Sequence, residues 1–393
     1  MALRILLLAD GIPPFVMGGM QKHSLQLAEQ LARLGNRVSL YHFTYSVVKE
    51  REVRKCFSGA ANENLEVKTF LYSDNSVLPG HYLRSQKRMS RIYWNEFLTE
   101  DGVFDFIYAK GFMAWSFLKE RNGIGLNTPI GIKFHGYEMF QKAPSIKVRM
   151  QHMMLRQAVK WCSLNADVVF SYGGKISDII SDLGVESGRI LEAPSGIEAS
   201  FVREKLPPIK DGGPVSFCFV GRNERRKGIN ELTHALQRML ASSSEFRFHF
   251  IGPIPEGIQL KDERITYHGV VTNMEGKKEI LDACDVLVCP SYSEGMPNVI
   301  LEGMARGLAI IATDVGAVSA IVDNENGVLL PFPSSPSLFR AMSSMVAVSK
   351  DSLDEMKRGS LERIWSGFLW DQIGVNLNDQ IQRKVSHSKS ILP

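Results

Sequence analysis

The sequence is short of cysteine. Its five cysteines (56, 162, 218, 284 and 289) include no C-x-x-C pair, which argues against a zinc framework or a disulfide scaffold and points to a reducing compartment. Long apolar runs are missing too. The opening MALRILLLADG is apolar only from Ile5 to Ala9, too short for a signal-peptide core or a bilayer span, so a cytoplasmic protein is expected. The first strand-to-helix loop carries no G-x-G-x-x-G, so a nicotinamide or flavin fingerprint is absent there. There is no solenoid repeat and no low-complexity tract. Charge of one sign is scarce as well: 46 Lys+Arg face 42 Asp+Glu, a net of +4. Residues 1–205 hold 26 Lys+Arg against 20 Asp+Glu, and the remainder 20 against 22. A basic excess this scattered argues against a nucleic-acid protein. It leaves open an anionic substrate, a membrane surface or ordinary solvated charge.

What is present is an alternation of strands and helices. At 393 residues the chain is too long for one ordinary core, so two domains are expected. In the first half RILLLA, NRVSLYHF, FDFIYAKG, PIGIKFHG and ADVVFSYG are strand candidates. MQKHSLQLAEQLARLG between the first two puts Leu25, Ala28, Leu31 and Ala32 on one helical face. EKLPPIKDGGPVSF has the Pro, Gly and charge of a linker. Beyond it VSFCFVG, FRFHFIG, ITYHGV, DVLVCPS, LAIIATD and GVLLPF form a second strand series. The stretch LERIWSGFLWDQIGVNLNDQIQRK reads as helical apart from Gly367 and Gly374. Two doubly wound α/β domains, 1–205 and 206–370, follow, with a ligand in the cleft at the carboxyl ends of the strands.

Three stretches carry candidate chemistry. Gly18-Gly19 open a helix, so bare amides there suit an anion, although paired glycines also serve as a plain tight turn. In FVGRNERRKGINEL a strand ends at Gly221, and Arg222 and Lys227 bracket the loop before a helix near Ile229. Basic charge at a helix start opposes the macrodipole, so a diphosphate clamp competes there with a solvated charge run. In SEGMPNVILEG, Glu294 and Glu302 flank Pro297, which places Glu294 in a loop and Glu302 in a helix. Glu302 then suits ribose hydroxyls. Glu294 has two readings: a free acid for sugar hydroxyls, or the far end of a capping box begun by Ser291. Separately, IKVRMQHMMLRQAVKWC puts Arg149, His152, Arg156 and Lys160 on one helical face, with Met150, Met153 and Met154 mostly elsewhere. That suits a peripheral contact with anionic membrane, or a core helix with a basic edge.

Taken together, GGMQKH, FHGYE, PSGIE, VGRNERRKG and EGMPNVILEGMARGLAIIATDVG resemble the family 4 retaining glycosyltransferases of the GT-B fold. The resemblance implies two Rossmann-like domains facing across a cleft. Residues 1–205 would bind acceptor and 206–370 the nucleotide-sugar donor, with a C-terminal helix at about 371–393 returning to the first domain. It implies that Gly18 and Gly19 approach the donor phosphate, that His135 lies beside the transferred sugar, and that Arg222 and Lys227 neutralise the diphosphate. Glu294 would hold sugar hydroxyls and Glu302 the ribose, with the amides of Gly295, Met296, Pro297, Asn298 and Val299 along sugar and phosphate. Base contacts would come from the backbone around Gly269. Ala309, Ala317, Ala320, Gly303 and Ser195 depart from the family's usual residues.

The expected activity is transfer from a nucleotide-diphosphate sugar to a sugar or lipid-linked acceptor in bacterial surface polysaccharide or glycolipid synthesis, with no cofactor and no metal, at or near the inner face of the membrane. No motif offers a convincing carboxylate nucleophile, which favours front-face substitution with the charge carried by the clamp. A non-catalytic nucleotide-sugar-binding partner subunit and a nucleotide-sugar epimerase of the same fold remain alternatives.

Overall fold

A computed structural model describes residues 2–72, 80–206, 213–242 and 244–391. The proposed linker therefore lies partly outside the described residues.

Seven parallel strands form the first sheet, in the order β3-β2-β1-β4-β5-β6-β7. They are β1 (Arg4–Leu8), β2 (Arg37–Thr44), β3 (Leu65–Leu71), β4 (Phe106–Lys110), β5 (Ile130–Lys133), β6 (Val168–Ser171) and β7 (Ile190–Glu192). Six more make the second sheet, in the order β10-β9-β8-β11-β12-β13. These are β8 (Val215–Val220), β9 (Phe246–Ile251), β10 (Ile265–Tyr267), β11 (Val286–Cys289), β12 (Ala309–Thr313) and β13 (Gly327–Leu330). The central strands are apolar throughout because helices cover both faces: Ile5 to Leu8 and Ile310 to Ala312 are fully buried. Each sheet reverses its winding once, between β1 and β4 and between β8 and β11. Loops leaving the carboxyl ends of those strands frame the crevice where a doubly wound sheet binds its ligand.

Every strand expected from the sequence is present, usually shortened where its last residues turn into the loop. Two were not expected, β3 and β7. Both are edge strands, and Glu66 and Glu192 are exposed, so neither shows a continuous apolar run.

The helix Gly19–Arg33 buries Leu27 with Ala28, Leu31 and Ala32, whereas Leu25 is only partly covered. Against it lies the last helix, Trp370–Ile391, whose Leu377, Ile381 and Val385 join the same apolar cluster. Asn36 donates to Asn378 at 2.8 Å, and Gln30 to Asp371 at 3.0 Å. Gly374 does not interrupt that helix, contrary to expectation. A Cβ there would lie 3.0 Å from Cβ of Gln30, so glycine lets the two helices close up. The chain thus crosses between domains twice. The crossings touch each other where Ile197 N–H donates to Phe368 O at 2.8 Å and Trp370 N–H to Ile197 O at 3.0 Å.

Candidate functional site

The loop after β8 and the loop after β11 stand side by side at the winding reversal of the second sheet. Gly228 adopts φ 70°, and a Cβ there would lie 1.9 Å from Pro290 O, so only glycine lets the loops meet this closely. The first loop ends in a short 3-10 turn, Arg225–Lys227, before the helix Ile229–Leu240. The second carries Glu294 and runs to the helix Asn298–Ala305.

Glu294 is buried, and its Oε1 is engaged twice. Lys227 Nζ donates to Oε1 at 2.6 Å, Ser291 Oγ donates to the same oxygen at 2.8 Å, and Arg226 stands 3.6 Å from Oε2. Burial alone would raise this carboxyl; Lys227 and then Arg226 more than offset that and hold it below the ordinary range. Two expectations are corrected here. The acid is not free in its loop, and Ser291 does not open a capping box. No helix begins until Asn298, because Pro297 has no N–H to continue one earlier, and the Ser291 hydroxyl turns to the carboxylate instead.

Gly19, His135, Arg222, Lys227, Glu294, Met296, Pro297, Asn298 and Val299 line one open cavity of about 360 Å³ between the domains. Arg222 is at its rim, with its side chain 73% exposed and paired to Glu224 at 2.8 Å. The other predicted residues stand behind that wall. Gly18 precedes the first helix and packs on Gln21. Gly269 accepts from Gly252 N–H at 2.8 Å, while Val270 and Val271 form the wall itself. Glu302 is buried, taking Lys277 at 2.5 Å and Lys22 of the first domain at 3.8 Å. Gly295 presses on the opposite domain: a Cβ there would lie 1.8 Å from His135 O.

Four further residues contribute. Arg226 lay inside a run read as a clamp of its two ends. Lys277, on the helix Met274–Asp282, reaches the cavity wall. Glu138 faces the same space, and burial raises its carboxyl. Gln141 bridges the domains: its amide donates to Glu294 O at 2.6 Å and accepts from Glu294 N–H at 3.3 Å. Composition and spacing gave no signal for Lys277 or Gln141, since each acts through a fold contact far away in sequence.

His135 follows β5 and keeps one side open to the cleft. Burial and the nearby Lys110 and Lys133 bring its pKa down to about 3, so it is neutral. Tyr172 lies 2.9 Å from Nδ1. We assign the phenol as donor, which leaves the ring proton on Nε2, toward Gly19.

Two family models divide the chain between them: Glycosyltransferase Family 4 matches residues 17–201, and Glycosyl transferases group 1 matches residues 214–347. The protein belongs to the family 4 glycosyltransferases. This family 4 chain is 37% identical over 124 residues to a putative teichuronic acid biosynthesis glycosyltransferase, TuaC, of Bacillus subtilis, covering 32% of the chain and 31% of that protein. The matched segments span about a third to a half of the length of such curated relatives. The whole fold superposes on sucrose-phosphate synthase from Thermosynechococcus elongatus with a TM-score of 0.78 at 18% identity, covering 98% of this chain and 100% of that one. Anabaena HepE in complex with UDP-glucose gives 0.66 at 15%, covering 98% and 100%. These likenesses establish the GT-B architecture, two Rossmann-like domains facing across a cleft.

Proposed function

We propose that this protein is a retaining glycosyltransferase that moves a sugar from a nucleotide-diphosphate donor to an acceptor hydroxyl in polysaccharide or glycolipid biosynthesis. The observation that carries the reading is the cavity at the β8/β11 reversal, where four cations (Arg222, Arg226, Lys227 and Lys277) and two acids (Glu138 and Glu294) converge opposite His135. The likeness to TuaC supports the polysaccharide class.

In this reading the diphosphate lies along the loop Arg222–Lys227. Lys227 has three N–H donors and spends one on Glu294, leaving two for phosphate oxygens. Arg226 and Arg222 add charge from the side and rim. Glu294, fixed as an anion, accepts from sugar hydroxyls through Oε2. Glu302 takes the ribose once Lys277 yields. The bond from the anomeric carbon to the phosphate oxygen breaks while the acceptor oxygen bonds on the same face. A departing phosphate oxygen takes the acceptor proton, and nucleoside diphosphate leaves. Charge stabilisation of the leaving group by these cations, without a metal, is the main catalytic term. Glu138 also lines this cavity, and burial raises its carboxyl; the front-face route asks no nucleophile of it.

A thermal-shift panel of UDP-, GDP-, ADP- and dTDP-sugars tests the donor. The correct one, at about 100 times its Kd, adds about 2.7 kcal/mol of stability. Product analysis follows. Transfer only with an added acceptor supports this reading, an altered nucleotide sugar without acceptor means an epimerase, and binding without turnover means a partner subunit.

We also propose that the enzyme rests on anionic membrane. Among the described residues no helix is long and apolar enough to cross a membrane. The helix Ile146–Asn165 instead leaves Ile146, Met150, Met153 and Met154 exposed at 80, 64, 59 and 53%, beside Lys147 and Arg149. Those methionines are not core, so an interfacial helix suits the segment better than a buried one. Vesicles with anionic lipid should sediment the protein and release it in salt, whereas neutral vesicles should not. Equal sedimentation with both, or none, ends the idea.

A further inference from the structure

Beside the donor cavity lies another of about 270 Å³, wholly in the first domain and sharing His135 and Glu138 with it. It opens at the β1/β4 reversal, the counterpart of the β8/β11 crevice. Asp10 leaves β1 and Lys110 ends β4, so two adjacent strands deliver opposite charges to one space. Asp10 Oδ2 accepts from Gln21 at 3.0 Å. Its Oδ1 is buried without a partner, and no ion pair joins it to Lys110. An unpaired buried carboxylate oxygen is costly unless a ligand completes it.

Lys110 and Lys133, both buried on this cavity, read at first as an anion site. His23 decides otherwise. Lys110 Nζ is 2.8 Å from its Nδ1 and Lys133 Nζ 3.2 Å from its Nε2. A neutral imidazole has one lone pair, so it accepts from one ammonium and donates to one neutral amine. An imidazolium donates to two neutral amines. Either way the three groups carry at most a single positive charge between them. Lys133 also donates to Ala193 O and lies 3.8 Å over the Tyr172 ring. With Asp10 opposite and Glu138 on the same lining, the cavity is not cationic. Phe112, Phe134 and Tyr137 supply flat apolar walls.

We propose that this cavity receives the acceptor as an uncharged sugar ring, anchored by one hydroxyl that donates to Asp10 Oδ1 and accepts from Lys110 Nζ. The anchor is a positioning contact and not the attacking hydroxyl. Asp10 and Lys110 thereby select hydroxyl-bearing rings over phosphorylated ones at this point. The inference rests on the transferase reading for the word acceptor, but the contact itself is testable without it.

Crystals of the full chain are soaked in methyl α-D-glucopyranoside at molar concentration, and separately in inorganic phosphate. The expected result is a sugar hydroxyl within hydrogen-bond distance of both groups, lost in Asp10→Asn and in Lys110→Met, each checked for folding by its melting curve. A sugar seated elsewhere, an empty cavity, a sugar retained in both variants, or phosphate lodged between Lys110 and Lys133 overturns the proposal. In turnover, either variant should raise the acceptor KM about tenfold or more, a charged hydrogen bond's share, with a smaller change in kcat. Asp10→Glu should recover part of that. An equal fall in kcat and kcat/KM would also overturn it. If the wild type transfers from no nucleotide sugar, the transferase reading fails while the soak still decides the contact.

Discussion

Lys227→Met should lower turnover of the nucleotide sugar by about 10²- to 10³-fold, the scale at which a preorganised donor to a developing oxyanion is lost. Lys227 is 14% exposed and bonded to Glu294 at 2.6 Å, so methionine removes the cation beside the buried acid that, in the proposed mechanism, also meets the leaving phosphate. A second effect follows from that acid. Lys227 and Arg226 hold Glu294 below its ordinary value, so the pair stabilises the fold above that range and loses its hold as pH falls through it. The variant should therefore melt lower than wild type at pH 7, and the gap should narrow on acidification. Steady-state turnover and melting at several pH values check both. Turnover within a few-fold of wild type would remove Lys227 from the mechanism.

Gly295→Ala should reduce kcat/KM by about 10²-fold, because misplacing reacting groups by an ångström costs on that order. The added methyl would meet His135 O at 1.8 Å and Tyr172 at 3.1 Å, and neither carbonyl nor ring can swing aside. The loop after β11 must then withdraw from the first domain, taking Glu294 away from His135. Both sheets are untouched, so the variant should fold and scatter X-rays as a slightly more extended particle. Unchanged kcat/KM would mean that the two loops need not touch during reaction.

The sequence made the sheets legible because parallel strands covered on both faces are apolar along their length, as in RILLL and AIIAT. Edge strands β3 and β7 gave no such run and were missed. The loop of Arg222 to Lys227 and the helix of Glu302 were readable from a strand end, a glycine and a proline. Glu294 was not readable in detail: S-x-x-E matches a helix cap and equally a hydroxyl donating to a carboxylate, and the helix start at Asn298 together with Lys227 on the carboxylate separates the two. Asp10, His23, Lys110 and Lys133 come from three strand ends and one helix. No local spacing predicts that they meet, and each alone looks like an ordinary polar residue near a buried strand.

The touching crossings at Ile197 and Phe368–Trp370 bear on how this chain can be recombined. A donor domain transplanted from a relative by one cut near the linker would bring a foreign last helix onto the first helix here, where Gly374 and Asn378 are fitted to Gln30 and Asn36. Exchange has to be made at two seams, one before β8 and one beside Leu369. The returning helix then stays with the first domain, and a graft cut this way tests whether donor choice travels with the second domain alone.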